Sequence, residues 1–156
     1  MKKIWITIKK FFGWKPKVTP TLRNNFLEWN FEEQDLAAVI NSVREDNIHN
    51  SMLGMKQIKV EELLWWEARR RCNAQIKKGV ISHDGVGATF EVITGGGFKY
   101  PAEILASGYT SAEAVVQAWL NSPSHKKIIL NPLHTYFGVG VLKNNGKYYY
   151  CVLFAR

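Results

Sequence analysis

The stretch YFGVGVLKNNGKYYYCVLFAR, residues 136–156, carries two alternating runs joined at Asn144-Asn145-Gly146. Asn and Gly tolerate positive φ, so this step predicts a hairpin between two antiparallel strands at the end of the chain. Upstream the pattern is helical. Asn30 followed by Glu33 is a capping box, and Leu36, Ile40 and Val43 recur at helical spacing, which predicts a first helix from about Phe31 to Glu45. A second is predicted from about Val60 to Lys78: Glu61 and Glu62 open it, Leu64, Ala68, Cys72 and Ile76 share a face, and Lys77, Lys78 and Gly79 close it. Thr110 with Glu113 is another capping box, opening a third helix that buries Val115, Val116 and Trp119 until Pro123 ends or bends it. Helices first and antiparallel strands last give an α+β or layered α/β/α domain.

Between the second and third helices, SHDGVGATFEVITGGGFKYPAEILASGYT has little period of its own. Gly95 to Gly97 could suggest a phosphate cradle, but no Gly-Lys-Ser/Thr follows, so they are read as a flexible loop. Trp65 and Trp66 read as core or groove lining rather than as part of a cofactor site.

At 156 residues, with 46% hydrophobic and 13% aromatic content, the chain suits one domain with a real core and an appendage. Its net charge of +8 is unevenly placed: seven basic residues precede Glu28 with no acid among them, and 14 basic residues meet 13 acidic ones thereafter. A basic stripe across the domain is therefore unsupported, which argues against specific nucleic-acid binding. The division expected is a basic aromatic segment, 1–27, and a domain, 28–156. The segment begins like a signal peptide, but its apolar run, Ile4 to Ile8, is shorter than the roughly 7 to 15 residues of an h-region. Its mixture of Lys, Trp, Phe and Ile suits either contact with an anionic membrane or a protein assembly, or a loosely packed tail. Cys72 and Cys151 fall at apolar positions and are expected as buried free thiols, one bridge being the alternative.

Four segments in order, SHDG at 82–85, AEILASG at 102–108, SAEAVVQAWLNSPSHKKIILNP at 111–132 and FGVGV at 137–141, resemble the CAP superfamily, also called SCP-like. It includes cysteine-rich secretory proteins, insect venom antigens and plant pathogenesis-related proteins; the resemblance is to the short bacterial type and covers about Phe31 to Arg156. It implies a three-layer α-β-α sandwich with an antiparallel sheet and an open cavity lined by histidines and glutamate. Carried over by position, His83 resembles the first histidine, Glu103 the glutamate and His125 the second histidine. Ile104 stands where the family has Asn, and Ser122 where animal and plant members have a second glutamate, leaving three residues in the site.

Two neutral imidazoles and a carboxylate can form the first shell of zinc or another divalent cation, so His83, Glu103 and His125 are the candidate metal ligands, with Ser122 lining the same cavity. A metal-bound water could then act as a nucleophile. Without a metal, Glu103 and a neighbouring imidazole would titrate as a pair. Ser82, Ser122 and Ser124 lie near the histidines in sequence, but none stands in a Gly-x-Ser-x-Gly elbow. Plainer readings stand beside these: His83 shaping a turn before Asp84-Gly85, Glu103 an ordinary surface acid, His125 a helix-terminal cation. His49 and His134 fall outside the pattern and read as structural or exposed. Tyr100, Tyr109 and Tyr136 either rim the cleft or belong to core and lid.

The function expected is a binding module for a divalent ion, small ligand, lipid or envelope component. A metal-assisted hydrolase of peptide, polysaccharide or nucleic acid is one alternative. A structural part of a larger assembly such as a phage particle is another. Family habit points to an extracellular or envelope location, whereas the short apolar run leaves cytoplasmic and virion-associated readings open.

Overall fold

The computed structural model describes residues 30–48 and 57–156; the 1–27 segment and His49 lie outside the described residues. The elements in order are α1 (Phe31–Ile48), β1 (Lys59–Val60), α2 (Glu62–Lys78), α3 (Val86–Gly95), β2 (Ala102–Ser107), α4 (Ala112–Asn121), α5 (Pro123–Ile129), β3 (Tyr136–Asn144) and β4 (Lys147–Ala155).

The C-terminal hairpin forms where the sequence placed it. Asn144 pairs with Lys147, and the intervening Asn145 and Gly146 take φ of 48° and 78°, the positive values that a two-residue I′ turn requires. The sheet order is β1-β3-β4-β2. Three strands are antiparallel as expected, but β1 adds a two-residue parallel pairing to β3, so the sheet is mixed. Parallel neighbours need a long crossover, and the chain from α2 to α5 supplies it.

Alternation along β4 divides the interior into two layers. Tyr150, Val152 and Phe154 face a core built with Leu36, Ile40, Val115, Trp119 and Ile129 of α1, α4 and α5. Cys151, Leu153 and Ala155 face a second core with Leu64, Ala68, Cys72 and Ile93 of α2 and α3. The result is an α-β-α sandwich. On its second face α2 lies directly on β3: a Cβ added at Gly138 would come within 2.0 Å of the Leu64 backbone, and one at Gly140 within 2.7 Å of the Ala68 backbone.

The capping box of α1 is present, with Glu33 N–H donating to Asn30 Oδ1 at 2.8 Å and Asn30 N–H to Glu33 Oε2 at 3.3 Å. Glu33 does more than cap. Fully buried, it also accepts from Trp65 Nε1 (3.1 Å), the Arg69 guanidinium (2.8 Å) and the Val141 amide (3.2 Å), joining α1, α2 and β3. Trp65 is thus core, while Trp66 is exposed. Glu61 caps α2, and Gly79, at φ 70°, ends it by donating to the Gln75 and Ile76 carbonyls.

The stretch without period holds two elements, α3 and β2. Gly95 to Gly97 are not a flexible loop: Gly95 is the last residue of α3, and the Gly96 and Gly97 amides donate to Val92 O and Thr94 O, each at 3.0 Å. The cap of α4 is Ser111 rather than Thr110, its side chain accepting from Ala114 N–H at 3.2 Å. Pro123 opens the separate helix α5, where its missing N–H costs nothing. Cys72 and Cys151 are buried and free. No helix among the described residues is long and apolar enough to cross a membrane.

Gly138→Ala is expected to destabilise the fold by about 3 kcal/mol, the upper range for overpacking, because it meets backbone that cannot rotate away. Gly87→Ala, in α3 with nothing within 4 Å, is expected to be stabilising by roughly 0.4–1 kcal/mol. Urea unfolding of both variants checks this; equal effects would mean that α2 is not seated as described.

Candidate functional site

Glu103 lies on β2, an edge strand, and its side chain points to the α2 face of the sheet. Its neighbour Ile104 points the opposite way into the first core, so the residue that replaces the family's Asn serves packing. Burying Glu103 demands partners, and α2 provides the main one. Arg71 grips both carboxylate oxygens, Nε to Oε2 at 2.5 Å and Nη2 to Oε1 at 2.9 Å. The two side chains are only 4% and 1% exposed, so this ion pair is out of water.

Arg71 also shapes the loop that carries His83. Its Nη1 donates to the Asp84 carbonyl at 2.9 Å and its Nη2 to the Ser82 carbonyl at 3.2 Å. Gln75, one turn on, donates to Ser82 O (2.8 Å) and accepts from Ser82 N–H (2.7 Å). So held, His83 places Nδ1 2.9 Å from Glu103 Oε1. An ionised carboxylate only accepts, so Nδ1 carries a proton toward Glu103 and Nε2 is left for other partners. The His83 side chain is 58% exposed and can meet a ligand from solution.

His125 arrives from the other helical layer. It lies in the first turn of α5, not at a helix C-terminus, so a dipole-stabilised cation does not account for it. Burial and the charge of neighbouring His83 hold its imidazole below the ordinary value of 6.5, favouring the neutral ring. His83 meets Glu103 directly, whereas His125 is linked to His83 through that electrostatic influence. The Ser122 hydroxyl meets Ser124 Oγ at 3.2 Å. Tyr136 packs edge-on to Phe98, the Tyr109 carbonyl accepts from Tyr150 OH, and Tyr100 is exposed; none of these contacts reaches the trio. His134 is structural: buried, bonded to the Ile128 carbonyl and stacked on Phe154.

Residues 37–154 match the family model described as CAP, the cysteine-rich secretory protein family. The chain belongs to that family. It is 32% identical over 102 residues to the uncharacterized protein YkwD of Bacillus subtilis, covering 63% of this chain and 40% of YkwD. This CAP chain thus spans less than half the length of that relative. Among solved structures, it is similar to an outer surface protein of Borrelia burgdorferi, with a TM-score of 0.69 and 28% identity over 80% of this chain and 92% of that one. An extracellular SCP-domain protein of Bacillus anthracis shares the fold at a TM-score of 0.68 and 23% identity, over 91% of this chain and 45% of the other.

The divalent ion expected of two imidazoles and a carboxylate meets a carboxylate that is already occupied here. Both Glu103 oxygens are committed to Arg71, and among the described residues no group of three or more His, Cys, Asp or Glu side chains is placed to hold a metal. Arg71 was missed in the sequence, although a signal existed: Leu64, Ala68, Arg71 and Gln75 follow helical spacing, putting two polar residues on an apolar stripe.

A lowered imidazole value contributes stability that is complete above 6.5 and is lost as pH falls through the folded value. His125 is accordingly expected to titrate below 6.5 by NMR, and His83→Ala to raise its midpoint by removing the like charge while burial remains. A midpoint that stays put in the variant would separate the two rings.

Proposed function

We propose that this CAP domain is a binding module in which His83 and His125, at the β2 edge of the sheet, take a small hydrogen-bonding ligand of a cell envelope. The observation that carries the reading is the His83 ring, fixed through Nδ1 by a buried ion pair and exposed on its other side. A preorganised polar group of this kind binds without having to be ordered first. Neutral imidazole at His125 adds a second group able to donate or accept. The envelope part of the proposal draws support from the relatives, one an outer surface protein and another an extracellular protein.

Catalysis is not part of the proposal. Glu103 is taken up as an ion-pair partner, and Ser122 Oγ faces another serine hydroxyl, which gives it no base. The basic aromatic segment, 1–27, supplies a different kind of contact: its lysines with Trp5, Phe11, Phe12 and Trp14 suit an anionic lipid surface.

Two probes separate these roles: soluble peptidoglycan fragments for the site and anionic phospholipid vesicles for the segment. The fragments should shift the ring signals of His83 and His125. The His83→Ala/His125→Ala double variant should bind them about ten-fold more weakly, since each lost hydrogen bond is worth roughly 0.5–1.5 kcal/mol. Deleting residues 1–20 should remove vesicle association and leave those ring signals unchanged. Ring signals that no envelope fragment moves would refute the site's proposed role.

A further inference from the structure

We infer that Arg71 is the specificity-determining residue that closes this site to divalent cations, serving as its resident positive charge. A ligand set of His83, Glu103 and His125 needs a free carboxylate oxygen. Here Oε2 accepts from Arg71 Nε at 2.5 Å, with the Cys151 thiol at 3.8 Å, and Oε1 accepts from both Arg71 Nη2 and His83 Nδ1–H at 2.9 Å. A metal bound to Glu103 would have to displace a fork-on-fork pair, the strongest form of carboxylate hydrogen bonding in proteins.

The guanidinium cannot simply swing aside. It is 4% exposed, and its remaining donors hold the Ser82 and Asp84 carbonyls. Moving it would cost its hydrogen bonds to the Ser82 and Asp84 carbonyls, although Gln75 would still hold Ser82. Leaving Arg71 in place is no better for a metal: a divalent ion at Glu103 would sit beside a buried positive charge, where repulsion is poorly screened. With Glu103 unavailable, the site offers two imidazoles, short of the three protein ligands typical of a zinc site with an open position. What this leaves is a face suited to ligands that exchange hydrogen bonds rather than supply a double positive charge.

The probes are zinc by calorimetry and cobalt by visible absorption, which reports ligand number and geometry, on chelator-stripped protein whose fold is checked by circular dichroism. Wild type is expected to show neither stoichiometric zinc binding nor the intense band of low-coordinate cobalt. Arg71→Met removes the competing charge at similar length and should gain metal affinity by roughly 10- to 100-fold, the scale on which partners of metal ligands act. Since a buried Glu103 left alone can prevent folding, Arg71→Lys serves as the second variant; it keeps the charge, loses the fork, and should bind metal more tightly than wild type but less than Arg71→Met. Two results would overturn the inference: stoichiometric, histidine-dependent zinc binding by wild type, or folded Arg71 variants that bind metal no better than wild type. Either would leave the binding-module reading standing, because that reading is tested with envelope fragments and does not require a metal to be excluded.

Discussion

The close seating of α2 on β3 is the constraint from which the rest of the molecule follows. At Gly138 and Gly140 the helix backbone occupies the space where side chains would stand. Glycine costs entropy in a strand, and here the cost is offset by burying the face formed by Leu64, Ala68 and Cys72 against Leu153 and Ala155. The approach brings the next residues of the same helix stripe, Arg71 and Gln75, over the edge strand β2 and the loop at 82–84. The set of contacts around His83 is thus a consequence of two missing side chains on a strand far along the chain.

Helical geometry then distributes three consecutive arginines among three carboxylates. Each step turns the helix by about 100°. Arg69 meets Glu33 beneath α1, Arg70 meets Glu67 and Thr89 at the α3 side, and Arg71 meets Glu103 on β2. The outer two pairs bury their carboxylates almost completely, and a buried carboxylate deprived of its cation costs about 3–5 kcal/mol. Such pairs add little to stability over an apolar equivalent, but they fix orientation. Glu33 aligns α1 against α2 and β3; Glu103 aligns β2 against α2 and the His83 loop.

This division explains what could be read from the sequence. The hairpin turn at Asn145-Gly146, the Asn30–Glu33 capping box and the Gly79 end of α2 depend on residues within a few positions of one another, and each formed where local chemistry placed it, whereas Val60, expected to begin α2, belongs to β1. The order of four motifs also carried the fold and the two residues that meet, His83 and Glu103. What escaped were features settled by distant partners. Helix α3 contains glycine and threonine at Gly87, Thr89, Thr94 and Gly95, which blur its period, and it is held from outside through Arg70 and Ile93. The parallel strand β1 is two residues long and exists by pairing with β3. Arg71 lies on the same helical stripe as Leu64 and Ala68, but its buried partner, Glu103, lies 32 residues away and is shown only by the packing of α2 against the sheet.

The two histidines are set in place by different means. His83 is fixed by long-range pairing: a helix arginine, a strand glutamate and a loop held by Gln75 all meet at its ring. His125 depends on a local event, the start of α5 at Pro123, which places it in the first turn of a short helix on the opposite layer. The ion pair at Arg71 thus orients one ring, while the other is carried by a helix that packs through Ile129 onto the first core.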